Sequence, residues 1–423
     1  MRLQLMRSGR SRPRGYLGLF GWLGVAASAL GAPEARAQVA DVDLRTSVFH
    51  EPSASSKLTV IHPGAAVVVR PTSWLGINAS YDADIVSGAT EAVKRGRLAD
   101  IVTQATEFSD TRQVVGGGFS ITRESTELSA NYAYGFESDY KSQSFTVAAG
   151  TDFLQKNTRI ELSYGRGFEE VCTTAYEETD APSNRQALTN SDGCFSDADD
   201  RATREINLDT FQAAWHQNWT PELNMQMVLT GALQNGFLEN PYRSVEIAPA
   251  GDAALENHPD NRARGALALR LKYYVRPLKA AVGFGVRGYR DTWEILGQTY
   301  ELTGERYLFP WLRVLVRGRY YAQTGALFWS DDYTGGEPET GPRGQYWSGD
   351  REVSPLASFS AGGRLQLEQS APGDARTLGI FRQLRAAVAF DAIKTDLKEF
   401  TWSGDSPDDT LAFLLTLTGG GTF

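Results

Sequence analysis

The chain has little cysteine and little histidine. Beyond its first 37 residues it lacks any run of 18 apolar residues, so no transmembrane helix is expected. Cys172 and Cys194 are the only cysteines, with no Cys-x-x-Cys and no Cys/His cluster. That pattern excludes a zinc centre. The four histidines are His50, His62, His216 and His258, each read as a loop or turn residue, and no Gly-x-Ser-x-Gly elbow occurs. A Ser-His hydrolase therefore has no support, and neither an enzyme nor a cofactor is expected. No repeat of fixed period points to a propeller. The formal net charge is −9, which argues against a nucleic-acid partner.

The N-terminal segment is expected to be removed. Arg2, Arg7, Arg10, Arg12 and Arg14 form a basic region, Tyr16–Leu30 is a short apolar run, and Ala35-Arg36-Ala37 is a small-x-small cleavage site. Residues 1–37 read as a secretory signal peptide, with the mature domain at 38–423. The segment carries six Arg and one Glu, so basic residues fall from 42 to 36 and acidic ones from 51 to 50, a net charge near −14.

Aromatic residues make up 11% of the chain, and there are 42 glycines. Apolar residues recur with period two. Leu267, Leu269, Leu271, Tyr273 and Val275 share one face, opposite Arg270 and Lys272. Leu312, Val314, Val316 and Tyr320 face away from Arg313, Arg317 and Arg319. A helix would scatter these arginines around its circumference; a strand puts them on one wall. About sixteen such segments (14–18) are expected, at roughly 43–51, 57–70, 74–86, 113–122, 126–136, 141–151, 157–168, 204–217, 223–235, 263–275, 279–290, 295–305, 311–324, 354–368, 377–390 and 409–422. Bulges are expected at His62-Pro63-Gly64 and near Phe211.

The connections alternate in length. One set is tight, as at Arg70-Pro71-Thr72, Arg276-Pro277 and Ala371-Pro372-Gly373. The other includes long polar stretches at 87–112, 169–203, 236–262, 325–353 and 391–408. Short turns at one end and long loops at the other predict an all-β fold: a transmembrane, antiparallel, up-and-down β-barrel with short periplasmic turns and long extracellular loops. Aromatic girdles are expected from Trp74, Trp219, Phe309 and Trp311 at the short-turn end. Their counterparts at the long-loop end are Phe136, Tyr140, Phe168, Phe237, Phe328 and Trp329. Leu411, Phe413, Leu415 and Leu417 share a face of the last segment, which ends on Phe423. It resembles the closing strand of bacterial outer-membrane barrels, whose terminal Phe the assembly machinery commonly reads. That resemblance implies an assembly signal at Phe423, with outer-membrane lipid and the barrel assembly machinery as partners.

Val86–Thr90, Phe108–Arg112, Asn240-Pro241-Tyr242-Arg243 and Glu256–Arg262 resemble a bacterial family of uncharacterised exported β-barrel proteins, catalogued as a domain of unknown function. The resemblance implies a bacterial outer-membrane address. It carries no activity and no site residues.

An exported chain with an even cysteine count predicts a Cys172–Cys194 disulfide within one extracellular loop. Asp180, Asp192, Asp197, Asp199 and Asp200 lie in one loop; they read as a solvated acidic loop, or as ligands for a hard cation. Asp110 and Arg112 could pair and pin the loop they close, or serve as ordinary turn residues. The inward faces of the late strands are basic, and Arg270, Lys272, Lys279, Arg287, Arg313, Arg317 and Arg319 are the candidate pore-lining residues. They are read either as pairing with lumen and loop carboxylates or as an electropositive constriction for anions. Two functions follow: a porin-like channel for small, anionic solutes, or a structural or surface-interaction barrel whose loops plug the lumen.

Overall fold

The computed structural model describes residues 39–52, 57–88, 101–103, 108–177, 179–181, 184–196, 198–247, 252–330, 346–370, 376–398 and 409–423. Sixteen strands close a barrel. They are β1 (Val39–Pro52), β2 (Lys57–Arg70), β3 (Leu75–Gly88), β5 (Phe108–Arg123), β6 (Thr126–Phe136), β7 (Tyr140–Phe153), β8 (Thr158–Thr174) and β9 (Arg201–Asn218), continuing with β10 (Leu223–Gly236), β13 (Asn261–Val275), β14 (Ala280–Asp291), β15 (Leu296–Phe309), β16 (Leu312–Gln323), β17 (Leu356–Ser370), β18 (Gln383–Leu397) and β19 (Asp409–Thr422). Each pairs antiparallel with its neighbours, and β19 returns to β1 from Asp41↔Thr422 to His50↔Phe413. Closure leaves no unpaired edge, which a lipid environment requires of a sheet.

The strands form because their side chains alternate between two solvents. Leu267, Val282, Leu302, Val316, Phe359 and Leu417 point outward and stay exposed, an apolar belt that only lipid makes favourable. The opposite faces carry glycine, serine, threonine and charge. Toward the long-loop end the outer face turns amphipathic. Tyr132 donates to Gln143 at 3.1 Å, Tyr81 to Gln113 at 3.2 Å, and Tyr164 to Asp209 at 2.6 Å. Trp74, Trp219, Phe309 and Trp311 are exposed at the short-turn end.

Three local expectations are corrected. His62-Pro63-Gly64 makes no bulge: the register of β2 against β3 is the same at Ile61↔Ile85 and Gly64↔Asp82. None occurs at Phe211 either, where β9 keeps one register with β8 and with β10. The irregularity falls instead at Tyr307/Phe309, beside the Pro310 turn. Residues 377–381 are not strand; Thr377 bridges Phe381 in a small hairpin before β18 begins at Gln383.

Phe237, Phe328 and Trp329 do not belong to a lipid girdle. They are buried among the long loops. Trp293, Ile295, Ala326, Phe328, Trp329 and Val353 form one apolar cluster there; Val171, Phe237 and Leu255 form another. A three-stranded sheet of β4 (Ile101–Thr103), β11 (Arg243–Ile247) and β12 (Asp252–Leu255) joins two of the loops. These loops form a folded cap, and Tyr289 on the inner face of β14 packs against its core.

Candidate functional site

The inward parity of β13–β18 carries the candidate basic residues. Arg270 and Lys272 lie on β13, Arg287 on β14, and Arg313, Arg317 and Arg319 on β16. Lys279 does not join that wall. It sits in the turn at 276–279, at left-handed φ 48°, outside the strands it connects.

Three of these groups have local acidic partners. Lys272 Nζ is 2.5 Å from Glu305 Oε1. Arg313 is 3.5 Å from Glu368 and donates to Gln366 at 2.8 Å. Arg317 holds Asp391 with two hydrogen bonds, one of them Nε to Oδ1 at 2.6 Å. Arg319 stacks 6.0 Å from the Tyr321 ring but pairs with no carboxylate among the described residues. The same lack of an acidic partner holds for Arg270 and Arg287. These three arginines border one lumen recess of about 400 Å³, with Glu301, Thr299 and Ser360. Arg287 also borders a neighbouring recess with Arg264, nearer the cap. Unpaired guanidinium groups therefore follow one side of the lumen inward from the cap.

The other half of the wall is more nearly neutralised. Arg45 lies 3.4 Å from Asp82, and His62 Nδ1 lies 2.5 Å from Asp84. Near the short turns Arg159 meets Glu161 at 2.6 Å, Asp152 at 3.2 Å and Glu127 at 3.5 Å, while His216 lies 3.4 Å from Glu161.

Several of these pairs skip a strand. The Arg317–Asp391 pair spans β17 at Gly362, and Arg45–Asp82 spans β2 at Gly64. Arg385 and Asp43, 3.4 Å apart, span β19 at Gly420. Asn78 donates to Asn131 at 3.0 Å over Gly118 of β5. A β-carbon at Gly362 would overlap the Asp391 carboxylate. The missing side chain is what lets the two residues meet.

The cap contains a second charged cluster. Glu256 is buried; its Oε1 accepts from Ser348 Oγ at 3.0 Å and from the Gly349 N–H at 3.1 Å. Its Oε2 lies 3.8 Å from Arg243 and 3.7 Å from His258 Nε2. Arg243 pairs with Asp350. His258 is buried against the rings of Trp293 and Phe328, with Nδ1 3.0 Å from the Leu238 carbonyl. Burial pushes the Glu256 carboxyl up to about 7, against the pull of Arg243, and lowers the His258 imidazole. Arg351 ties the cap to Glu51 on β1 at 2.9 Å, and Leu188 N–H donates to the Pro241 carbonyl at 2.7 Å.

Cys172, at the end of β8, is bonded to Cys194 in the following loop, closing a sequence separation of 22. The acidic loop residues do not converge. Asp200 pairs with Arg201, Asp180 accepts from Glu177 N–H at 2.9 Å, and Asp197 lies outside the described residues. No metal-ligand cluster of three or more occurs among the described residues. Arg112 stacks on Tyr140, 5.0 Å from its centroid, while the Asp110 side chain lies outside the described residues. Phe423 packs on Phe381 at 4.9 Å, and its N–H donates to the Ala40 carbonyl at 2.9 Å.

Sequence reasoning missed two things. The acidic partners Asp391, Asp43 and Asp82 lie two strands from their arginines, so strand register is needed to find them. Glu256 and His258 sit in a polar loop and carry no local sign of burial.

Among curated protein sequences none matches the chain. Solved structures similar to it include a bacterial polysaccharide outer-membrane secretin (11% identity, 90% of this chain and 97% of the other, TM-score 0.46). OccK2 (OpdF) of Pseudomonas aeruginosa in complex with glucuronate is another (8% identity, 91% and 98%, TM-score 0.40). A third is the siderophore receptor PirA of Acinetobacter baumannii (8% identity, 86% and 54%, TM-score 0.44). A sequence profile described as protein of unknown function (DUF3570) matches residues 19–371, which is most of the chain, and the chain belongs to that family.

Proposed function

We propose that this protein is a non-enzymatic channel of the bacterial outer membrane, exported through its leader at 1–37, that admits small solutes and prefers anions. Sixteen strands are enough for an aqueous lumen. The observation that carries the anion preference is the trio Arg270, Arg287 and Arg319, which has no acidic partner among the described residues and borders one recess. Excess positive charge in a low-dielectric wall concentrates anions and weakens as salt screens it, over about 10 Å at 0.1 M. Arg313 and Arg317 contribute less, because Glu368 and Asp391 already hold them.

The test is the reversal potential of single channels in a salt gradient. Wild type is expected to prefer anions at low salt, and a triple variant Arg270→Gln, Arg287→Gln, Arg319→Gln should shift toward cations. Cation preference in the wild type would reject the reading.

The folded cap favours a second reading, a surface barrel with a closed mouth. Its loops are tied together at Arg243–Asp350, Arg351–Glu51 and Leu188–Pro241. Absence of conductance at every salt concentration would support it.

A further inference from the structure

We infer that the recess bounded by Arg270, Arg287, Arg319, Glu301, Thr299 and Ser360 is a binding station for a small hydroxycarboxylate. The inference rests on the channel reading and names its solute class.

Beside the paired Arg317 and Asp391, the recess is lined by groups that lack partners. Thr299 is 8% exposed and its buried hydroxyl makes no hydrogen bond, an unfavourable state for a polar atom unless a ligand or water satisfies it. It lines the recess from β15. Glu301, two residues along the same inward face, sits directly opposite Arg319 in the β15–β16 register. Arg270 flanks Glu301 across Gly285. Neither guanidinium lies within ion-pair distance of the Glu301 carboxylate. The space between them holds both charge signs without bringing them into contact.

That arrangement sets the ligand chemistry. Three planar guanidinium forks suit a carboxylate, which each can bind through two parallel hydrogen bonds. Glu301 accepts and does not donate when ionised, so it calls for a hydrogen-bond donor on the same ligand. A hydroxyl meets that need. An ammonium group would meet Glu301 too, but it would be repelled by the three arginines around it. Ser360, opposite Arg319 on β17, can donate or accept for a second hydroxyl. A volume of about 400 Å³ accommodates a molecule of a few carbons with its water.

The experiment compares glycerate, propionate and glycerol as probes. Each is titrated calorimetrically into the refolded barrel in detergent, and each is added to single channels in a bilayer. Glycerate is expected to bind at least tenfold more tightly than propionate, with no detectable glycerol binding. Arg270→Gln with Arg287→Gln should weaken both acids tenfold or more. Glu301→Gln and, independently, Thr299→Val should each bring the ratio of glycerate to propionate affinity down toward one. Equal binding of the two acids, or a ratio unmoved in both single variants, overturns the inference. Anion-preferring conductance without glycerate selectivity rejects the station and leaves the channel. Glycerate binding without conductance rejects the channel and leaves the station.

Discussion

Arg317 and Asp391 bind each other across a strand to which neither belongs. Arg317 is on β16, Asp391 on β18, and Gly362 of β17 lies between them in the register of both pairings. Asp391 is only 4% exposed, and Arg317 is the cation that faces it there.

Substituting Gly362→Ala should therefore cost more than an ordinary glycine replacement in a strand. The new methyl would displace the Asp391 carboxylate and leave two charged groups poorly paired, a loss of about 1–3 kcal/mol. Gly318→Ala on β16 is the control, since a β-carbon there meets nothing within 4 Å. Thermal midpoints from heat-modifiable gel mobility should fall for Gly362→Ala alone. Equal midpoints would show that the crossing contributes nothing.

The cap should respond to pH through Glu256. Its carboxyl holds its proton more tightly folded than unfolded, with a value of about 7 against an ordinary 4.5. Its favourable contribution is therefore complete below about 4.5 and is lost as pH rises through 7. Glu256→Gln stays neutral throughout. The variant cap should match wild type at low pH and exceed its stability above pH 7 by at most roughly 3 kcal/mol, at 1.36 kcal/mol per unit. His258 acts in the opposite sense, because burial keeps it neutral and acid favours its protonated, released form. It is present in both proteins and largely cancels in the comparison. Hydrogen exchange at the Trp347 and Gly349 amides across pH 4–8 measures the difference; a gap that does not grow with pH would refute the assignment.

Replacing both Cys172 and Cys194 by serine should loosen the loop after β8 without opening the barrel. The closure spans 22 residues and is worth about 3 kcal/mol in the chain-entropy model. Protease cleavage within residues 175–200 should accelerate, while the heat-modifiable band stays unchanged. A barrel that fails to form would place the disulfide in folding rather than in loop order.

Phe423→Ala is expected to lower the yield of assembled barrel more than the stability of what assembles. The ring packs on Phe381 and the backbone ties β19 to β1 through Ala40. Truncation removes the first contact and leaves the second. Wild-type levels of the variant in the outer-membrane fraction would rule out an assembly signal at this residue.

The strands were legible because lipid and lumen impose opposite demands on alternate residues. Leu267 to Val275 and Leu312 to Tyr320 show this directly, and β13 and β16 follow them closely. The same signal misled at β18. Leu378 and Ile380 continue the parity of Val388 and Phe390 back through the hairpin, and no change of period marks where pairing with β17 begins. The basic wall was legible, but its neutralisation was not. Whether Arg317 is paired and Arg270 unpaired depends on residues brought alongside by sheet register, 74 positions away for Asp391. Glu256 and His258 were illegible for a different reason. Their burial comes from Trp293, Phe328 and Trp347, which arrive from other loops.

The strand-skipping pairs also act as a check on alignment. In a sheet of period two, a slip by one residue carries a glycine to the outer face and puts a side chain in the gap. At Gly420 the neighbours that would move in are Gly419 or Gly421, so the gap would survive. At Gly64 they are Pro63 and Ala65, and the passage would be blocked either way; at Gly362 a slip that brings in Ala361 blocks it, whereas one that brings in Gly363 does not. The Arg45–Asp82 contact thus forms only when three consecutive strands are each in correct alignment. The Arg385–Asp43 contact has a separate requirement. It joins β18 to β1 over β19, so it can exist only after the two ends of the chain have met and the ring is complete.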